Sequence, residues 1–117
     1  MTKLLDELHP GEILLEDFMK PMGISAGQLA ADIDVSPSRI SELVNGTRPI
    51  TADTALRLGL FFSMEPRFWL NLQAEYDMRV ATRDLKAAIE PRIRVFDRAQ
   101  QGFHASQAPE ADAERPA

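Results

Sequence analysis

Ser38, Arg39 and Ser41 lie on a short segment whose two ends are marked in the sequence. Ser36 followed by Pro37 reads as an N-cap with proline at the first helical position, where its missing N–H is not needed. Gly46 stands where a left-handed residue would end the helix. Between those marks Ile40, Leu43 and Val44 make one apolar face, so Ser38, Arg39, Ser41, Glu42 and Asn45 face outward. About nine residues at about 1.5 Å rise give a rod of roughly 13 Å, suited to a major groove about 12 Å wide. A guanidinium near the start of such a helix pairs bidentately with O6 and N7 of guanine, so Arg39 is the first candidate for base readout, ahead of Ser38 and Ser41. The competing role for Arg39 is an exposed ion pair with Glu42 one turn later. Ser25, Ser36, Asn45, Thr47 and Arg48 have the chemistry of phosphate or positioning contacts, which fix register on a duplex without reading sequence. Capping the helix before Gly46 is the preferred role for Asn45.

The elements that would hold these side chains follow from caps and periodicity. Upstream, Ser25 caps a helix with Leu29, Ala30 and Ile33 on one face, and Asp34 and Val35 carry the turn into the second helix. His9 to Met19 is an amphipathic helix opened by Pro10 and Gly11, with Glu12 in its first turn. Its alternatives to a solvent face for Glu12, Glu16 and Asp17 include contact with a basic partner. Lys20 to Gly23 supplies a break, because Pro21 disfavours helical geometry at Lys20 and Gly23 can take positive φ. Thr51 caps a further helix in which either Ala55, Leu58 and Phe62 or Leu56 and Leu60 face inward, and Gly59 implies close packing. Pro66 opens the longest helix, whose apolar stripe is Phe68, Trp69, Leu72, Tyr76 and Val80. Phe68, Trp69, Leu72 and Tyr76 serve core packing or a dimer seam, the alternative being a partner-binding groove. Ile89 to Phe96 has two readings. Ile93 and Val95 alternate with arginines as in a strand, which would have to pair with its copy in a second chain; the other reading is an irregular tail on the last helix. The domain expected is 1–98, with 99–117 a disordered tail.

Five helices with short connections define an all-α domain. At 117 residues, 44% hydrophobic and 26% charged, the chain has the composition of a soluble globular domain. The net charge of −5 argues against a generally basic nucleic-acid coat, so any DNA contact must be local and made by few side chains. Without cysteine there is no disulfide framework and no thiolate metal site. No membrane span and no signal-peptide core stand out, and the expected location is the cytoplasm. No metal, cofactor or small-molecule substrate is implied. His9 and His104 are far apart, and no phosphate loop, cysteine nucleophile or metal-spaced carboxylate set accompanies them, so an enzyme is not expected.

Three stretches together, HPGEILLEDFM (His9 to Met19), IDVSPSRISELVNGTRPITADTALRLGLFF (Ile33 to Phe62) and FWLNLQAEYDM (Phe68 to Met78), resemble the HigA-type antitoxins, a branch of the phage-repressor-like helix-turn-helix family. The order and spacing of all three carry the resemblance, over about Leu8 to Ala81. It implies a five-helix lambda-repressor-like DNA-binding domain, a homodimer on a palindromic operator, repression of its own operon, and neutralisation of a RelE/HigB-like mRNA endonuclease toxin. Two positions depart from the family pattern: Asp34 stands where the turn commonly has Gly, and Ala26 where the first motif helix often has Gln reaching a phosphate. Aspartate tolerates left-handed geometry at modest cost. The alternatives are a free-standing repressor without a toxin, and an interaction adaptor whose helix-turn-helix has lost DNA binding.

Overall fold

The computed structural model describes residues 8–97, and among these the fold is all-helical. Helix α1 spans residues 10–22 in three uninterrupted stretches: α-helical Pro10–Ile13, π-helical Leu14–Met19 and α-helical Lys20–Met22. His9 is its N-cap, with Nδ1 accepting the Gly11 N–H at 2.9 Å. The break expected at Lys20 does not occur. In the π stretch the Lys20 N–H reaches back five residues to the Leu15 carbonyl, which shifts the register ahead of Pro21 and accommodates its ring and missing N–H. The helix stops instead at Gly23, whose φ of 67° lets the Gly23 N–H bond Lys20 O and the Ile24 N–H bond Met19 O, both orphan carbonyls of the last turn.

Helices α2 (Ala26–Asp32), α3 (Pro37–Val44), α4 (Ala52–Phe62) and α5 (Arg67–Ile89) follow. Each of α2, α3 and α4 begins with a hydroxyl cap, from Ser25, Ser36 and Thr51, accepting a backbone N–H three residues on. Their inward faces meet in one core: Leu14 and Met19 from α1, Leu29 and Ala30 from α2, Ile40 and Leu43 from α3, Ala55 and Leu58 from α4, and Trp69 from α5. Trp69 and Phe18 meet in a tilted pair at 4.9 Å between ring centres, and Phe62 and Phe68 close around them. Of the two faces available on α4, the one carrying Ala55 and Leu58 is buried, while Leu56 and Leu60 are exposed. Gly59 explains the choice, because a Cβ there would lie 2.8 Å from the Met64 carbonyl oxygen and from Pro66. The connector into α4 is pinned by Gln73 of α5, whose Oε1 accepts the buried Ile50 N–H at 2.7 Å and whose Nε2 donates to Asp77.

The chain divides after Ala87 into two units. In the second, described to residue 97, α5 ends at Ile89, a 3-10 turn covers Glu90–Arg92, and Ile93 takes extended backbone with φ −97° and ψ 125°. The strand reading of 89–96 is therefore corrected over its first residues. Pro91 suits a first helical turn, and the β-branched residues extend only beyond it. Residues 93–97 join no ladder among the described residues. The tail reading of 99–117 and His104 lie outside the described residues. No described helix is long and apolar enough to cross a membrane.

Candidate nucleic-acid interface

Helix α3 is set by packing at both ends. At its C-terminus Gly46 takes φ 79°, the Gly46 N–H bonds Leu43 O, and the Thr47 N–H bonds Glu42 O. Ile40 and Leu43 are fully buried, so the opposite side of this two-turn helix is held toward solvent. The start of α1 presses on the end of α3: a Cβ on Gly11 would overlap the backbone carbonyl of Leu43. The His9 ring lies beneath Gly46 and meets Tyr76 edge-on at 4.9 Å. Burial lowers the His9 pKa below its ordinary value, against the pull of the Glu12 and Asp77 carboxylates. The HPGE stretch is thus a seat for the end of α3.

The turn between α2 and α3 is held from α4. Asp34 adopts φ 60°, the left-handed geometry needed to reverse the chain. Arg57 spans the turn, its Nη1 donating to Ile33 O at 2.8 Å and to Asp34 O at 3.1 Å. These carbonyls lie at the end of α2, where a cation also favours the helix dipole. Arg57 Nε donates to Asp53 Oδ2 at 3.0 Å, and the same oxygen accepts Arg39 Nη1 at 2.9 Å. Asp53 and Arg57 pair with each other one turn apart on α4, but the partners that tie them to this site are 14 to 24 positions away, beyond the reach of local sequence patterns.

The candidate contact residues are placed as follows. Ser38 is exposed, with its Oγ 3.2 Å from that of Ser36, and Ser41 is exposed one turn on. Arg39 follows Ser38 at the helix start, and its partner is Asp53 of α4 rather than Glu42. Glu42 instead accepts from Arg48 at 2.8 Å, a half-exposed pair worth about 0–1 kcal/mol. Thr47 Oγ1 donates to Glu42 O at 3.2 Å. Asn45 is exposed at the C-cap, with its backbone N–H on Ser41 O. Ser25 and Ser36 use their hydroxyls as caps, accepting from Gln28 N and Arg39 N. On α5, Trp69 is fully buried, Leu72 packs on the core, Phe68 meets Trp69 edge-on, and Tyr76 meets His9. Ile93 and Val95 are exposed. Among the described residues no group of three or more His, Cys, Asp or Glu is arranged to hold a metal ion.

Two short helices across a left-handed turn, the second with a polar outer face, define a helix-turn-helix. The helix-turn-helix family model matches residues 15–69, from α1 to the start of α5. Virulence-associated protein I of Dichelobacter nodosus is 54% identical over 77 residues, 66% of this chain and 71% of its own. An addiction module antidote protein of the HigA family from Coxiella burnetii is 44% identical with a TM-score of 0.72, over 76% of this chain and 97% of that one. The Pseudomonas aeruginosa antitoxin HigA, solved with the higBA promoter, gives a TM-score of 0.74 at 38% identity, over 77% and 98%. The chain belongs to the helix-turn-helix family, whose members are regulators and antitoxins rather than enzymes. Its neighbours among solved structures include HigA antitoxins.

Proposed function

We propose that this protein is a sequence-specific DNA-binding repressor and the antitoxin of a type II toxin-antitoxin module, binding a palindromic operator in its own promoter as a homodimer. The observation that carries the reading is helix α3: two apolar residues buried, both ends capped, and Ser38, Arg39 and Ser41 on the side away from the core. Arg39 reads a guanine, Ser38 and Ser41 assist, and Arg48 and Thr47 contact phosphate beyond the helix end. Ser25, Ser36 and Asn45 fix register mainly through the backbone they cap. The promoter-bound Pseudomonas relative supports the DNA partner. An overall acidic chain meets DNA through this limited set, so few counterions are released and the salt dependence is shallow for a repressor. The toxin reading rests on the HigA likeness and names a RelE-like mRNA endonuclease as the partner. Its cellular setting is the cytoplasm.

Two experiments test this. A gel shift on the protein's own promoter and on a scrambled duplex of equal length should show tighter binding to the promoter that weakens as salt rises. Co-expression with the adjacent reading frame, followed by pull-down, should recover a stable complex. A shift without preference removes the repressor reading, and a toxin-free neighbourhood leaves a free-standing repressor.

A further inference from the structure

Asp53 is an acidic residue beside a surface read here as facing a polyanion. One of its oxygens, Oδ2, accepts from two guanidiniums, Arg39 Nη1 at 2.9 Å and Arg57 Nε at 3.0 Å. Arg57 is itself anchored, since its Nη1 is spent on the carbonyls of Ile33 and Asp34 across the helix-turn-helix turn. Backbone turn, Arg57, Asp53 and Arg39 therefore form one continuous chain of charge-assisted hydrogen bonds. Its last member is the arginine at the start of α3, whose side chain retains only 25% of its exposure.

A guanidinium presents five N–H donors in a planar fork. With Nη1 turned to Asp53, the edge formed by Nε and Nη2 remains for a bidentate partner, and guanine O6 and N7 are a partner of that shape. The same carboxylate repels phosphate and occupies the cation that would otherwise settle on the backbone of any sequence.

Building on the repressor reading above, we propose that Asp53, braced by Arg57, is a specificity-determining positioning residue: it aims Arg39 at a base edge and withholds it from phosphates. Asp53 also sits in the first turn of α4, where a carboxylate favours the helix dipole. That role affects stability alone and leaves sequence preference untouched, so the two are separable.

The test uses the full chain, with anisotropy titrations on the promoter duplex and a scrambled duplex at one salt concentration. Asp53→Asn should bind the scrambled duplex about three- to ten-fold more tightly, because a charge next to the phosphates is gone and Arg39 is released. Binding to the promoter should change less, so the promoter-to-scrambled ratio falls. In an Arg39→Ala background the same Asp53→Asn change should leave the ratio where Arg39→Ala alone puts it, because the two residues act as a unit. Asp53→Glu should recover part of the wild-type ratio. Should Asp53→Asn lose its fold by thermal melt, Asp53→Ser repeats the test with a residue suited to helix starts. An unchanged ratio in Asp53→Asn, or an equal fall with and without Arg39, overturns the proposal. A wild-type ratio of one is a different failure, removing the repressor reading on which it is built.

Discussion

Gly11 lies so close to the backbone of Leu43 that α1 and α3 touch main chain to main chain at this point. The glycine leaves room where any side chain would strike the Leu43 carbonyl, one of the last carbonyls of the proposed recognition helix. The obstacle is backbone, so relief requires moving α3 itself.

Gly11→Ala should therefore destabilise the fold at or beyond the upper end of the usual overpacking cost, about 3 kcal/mol. Urea titration followed by circular dichroism measures it. A loss below about 1 kcal/mol would show that α1 can retreat from α3 without consequence.

Stability should also fall in mild acid through His9. Its pKa is lowered in the folded chain by burial, with Glu12 and Asp77 opposing, so between that value and the ordinary 6.5 the unfolded chain binds more proton than the folded one. The contribution is complete above pH 6.5 and is lost as pH falls through 6.5 toward the lowered value. The slope is bounded at about 1.4 kcal/mol per pH unit for one proton. Protonation would also remove the Nδ1 acceptor that caps α1. His9→Asn keeps a capping acceptor without an imidazole, and it should flatten the profile between pH 5 and 7, about the range where histidine titrates. A wild-type profile flat across that range would remove His9 as the cause.

The turn at Asp34 yields a pair of opposite outcomes. Asp34→Gly should raise stability by up to about 1 kcal/mol, since glycine adopts φ 60° without steric cost and Arg57 contacts only the backbone there. Arg57→Ala should lower it by about 1–3 kcal/mol, leaving the Ile33 and Asp34 carbonyls without their donor. Thermal melts of both variants decide the matter, and the same sign for both would contradict the clamp.

What the sequence made legible was local. The caps Ser25, Ser36 and Thr51 and the helix ends at Gly23 and Gly46 are written in neighbouring residues, and the structure uses each of them. The polar face of α3 followed from the burial of Ile40 and Leu43. Contacts between distant segments were not legible. The Arg39–Asp53 pair is 14 residues apart, and the Gln73–Ile50 bond is 23 apart. A helical rule offered Glu42 to Arg39, yet Glu42 had a better-placed partner in Arg48 beyond the helix end. Pro21 does not break α1, because the π register that admits it depends on how Leu14 to Met19 wind and not on proline alone.

The most direct measurement compares Arg39→Ala with Arg48→Ala on the promoter duplex and on a scrambled duplex at fixed salt. Arg39→Ala should cost about 1–3 kcal/mol on the promoter, relax preference at one base pair per half-site, and leave scrambled binding nearly unchanged. Arg48→Ala should weaken both duplexes alike. For a two-fold dimer the half-site centres should be separated by about 10–10.5 base pairs or a multiple. An equal loss on both duplexes for Arg39→Ala would contradict base readout by α3.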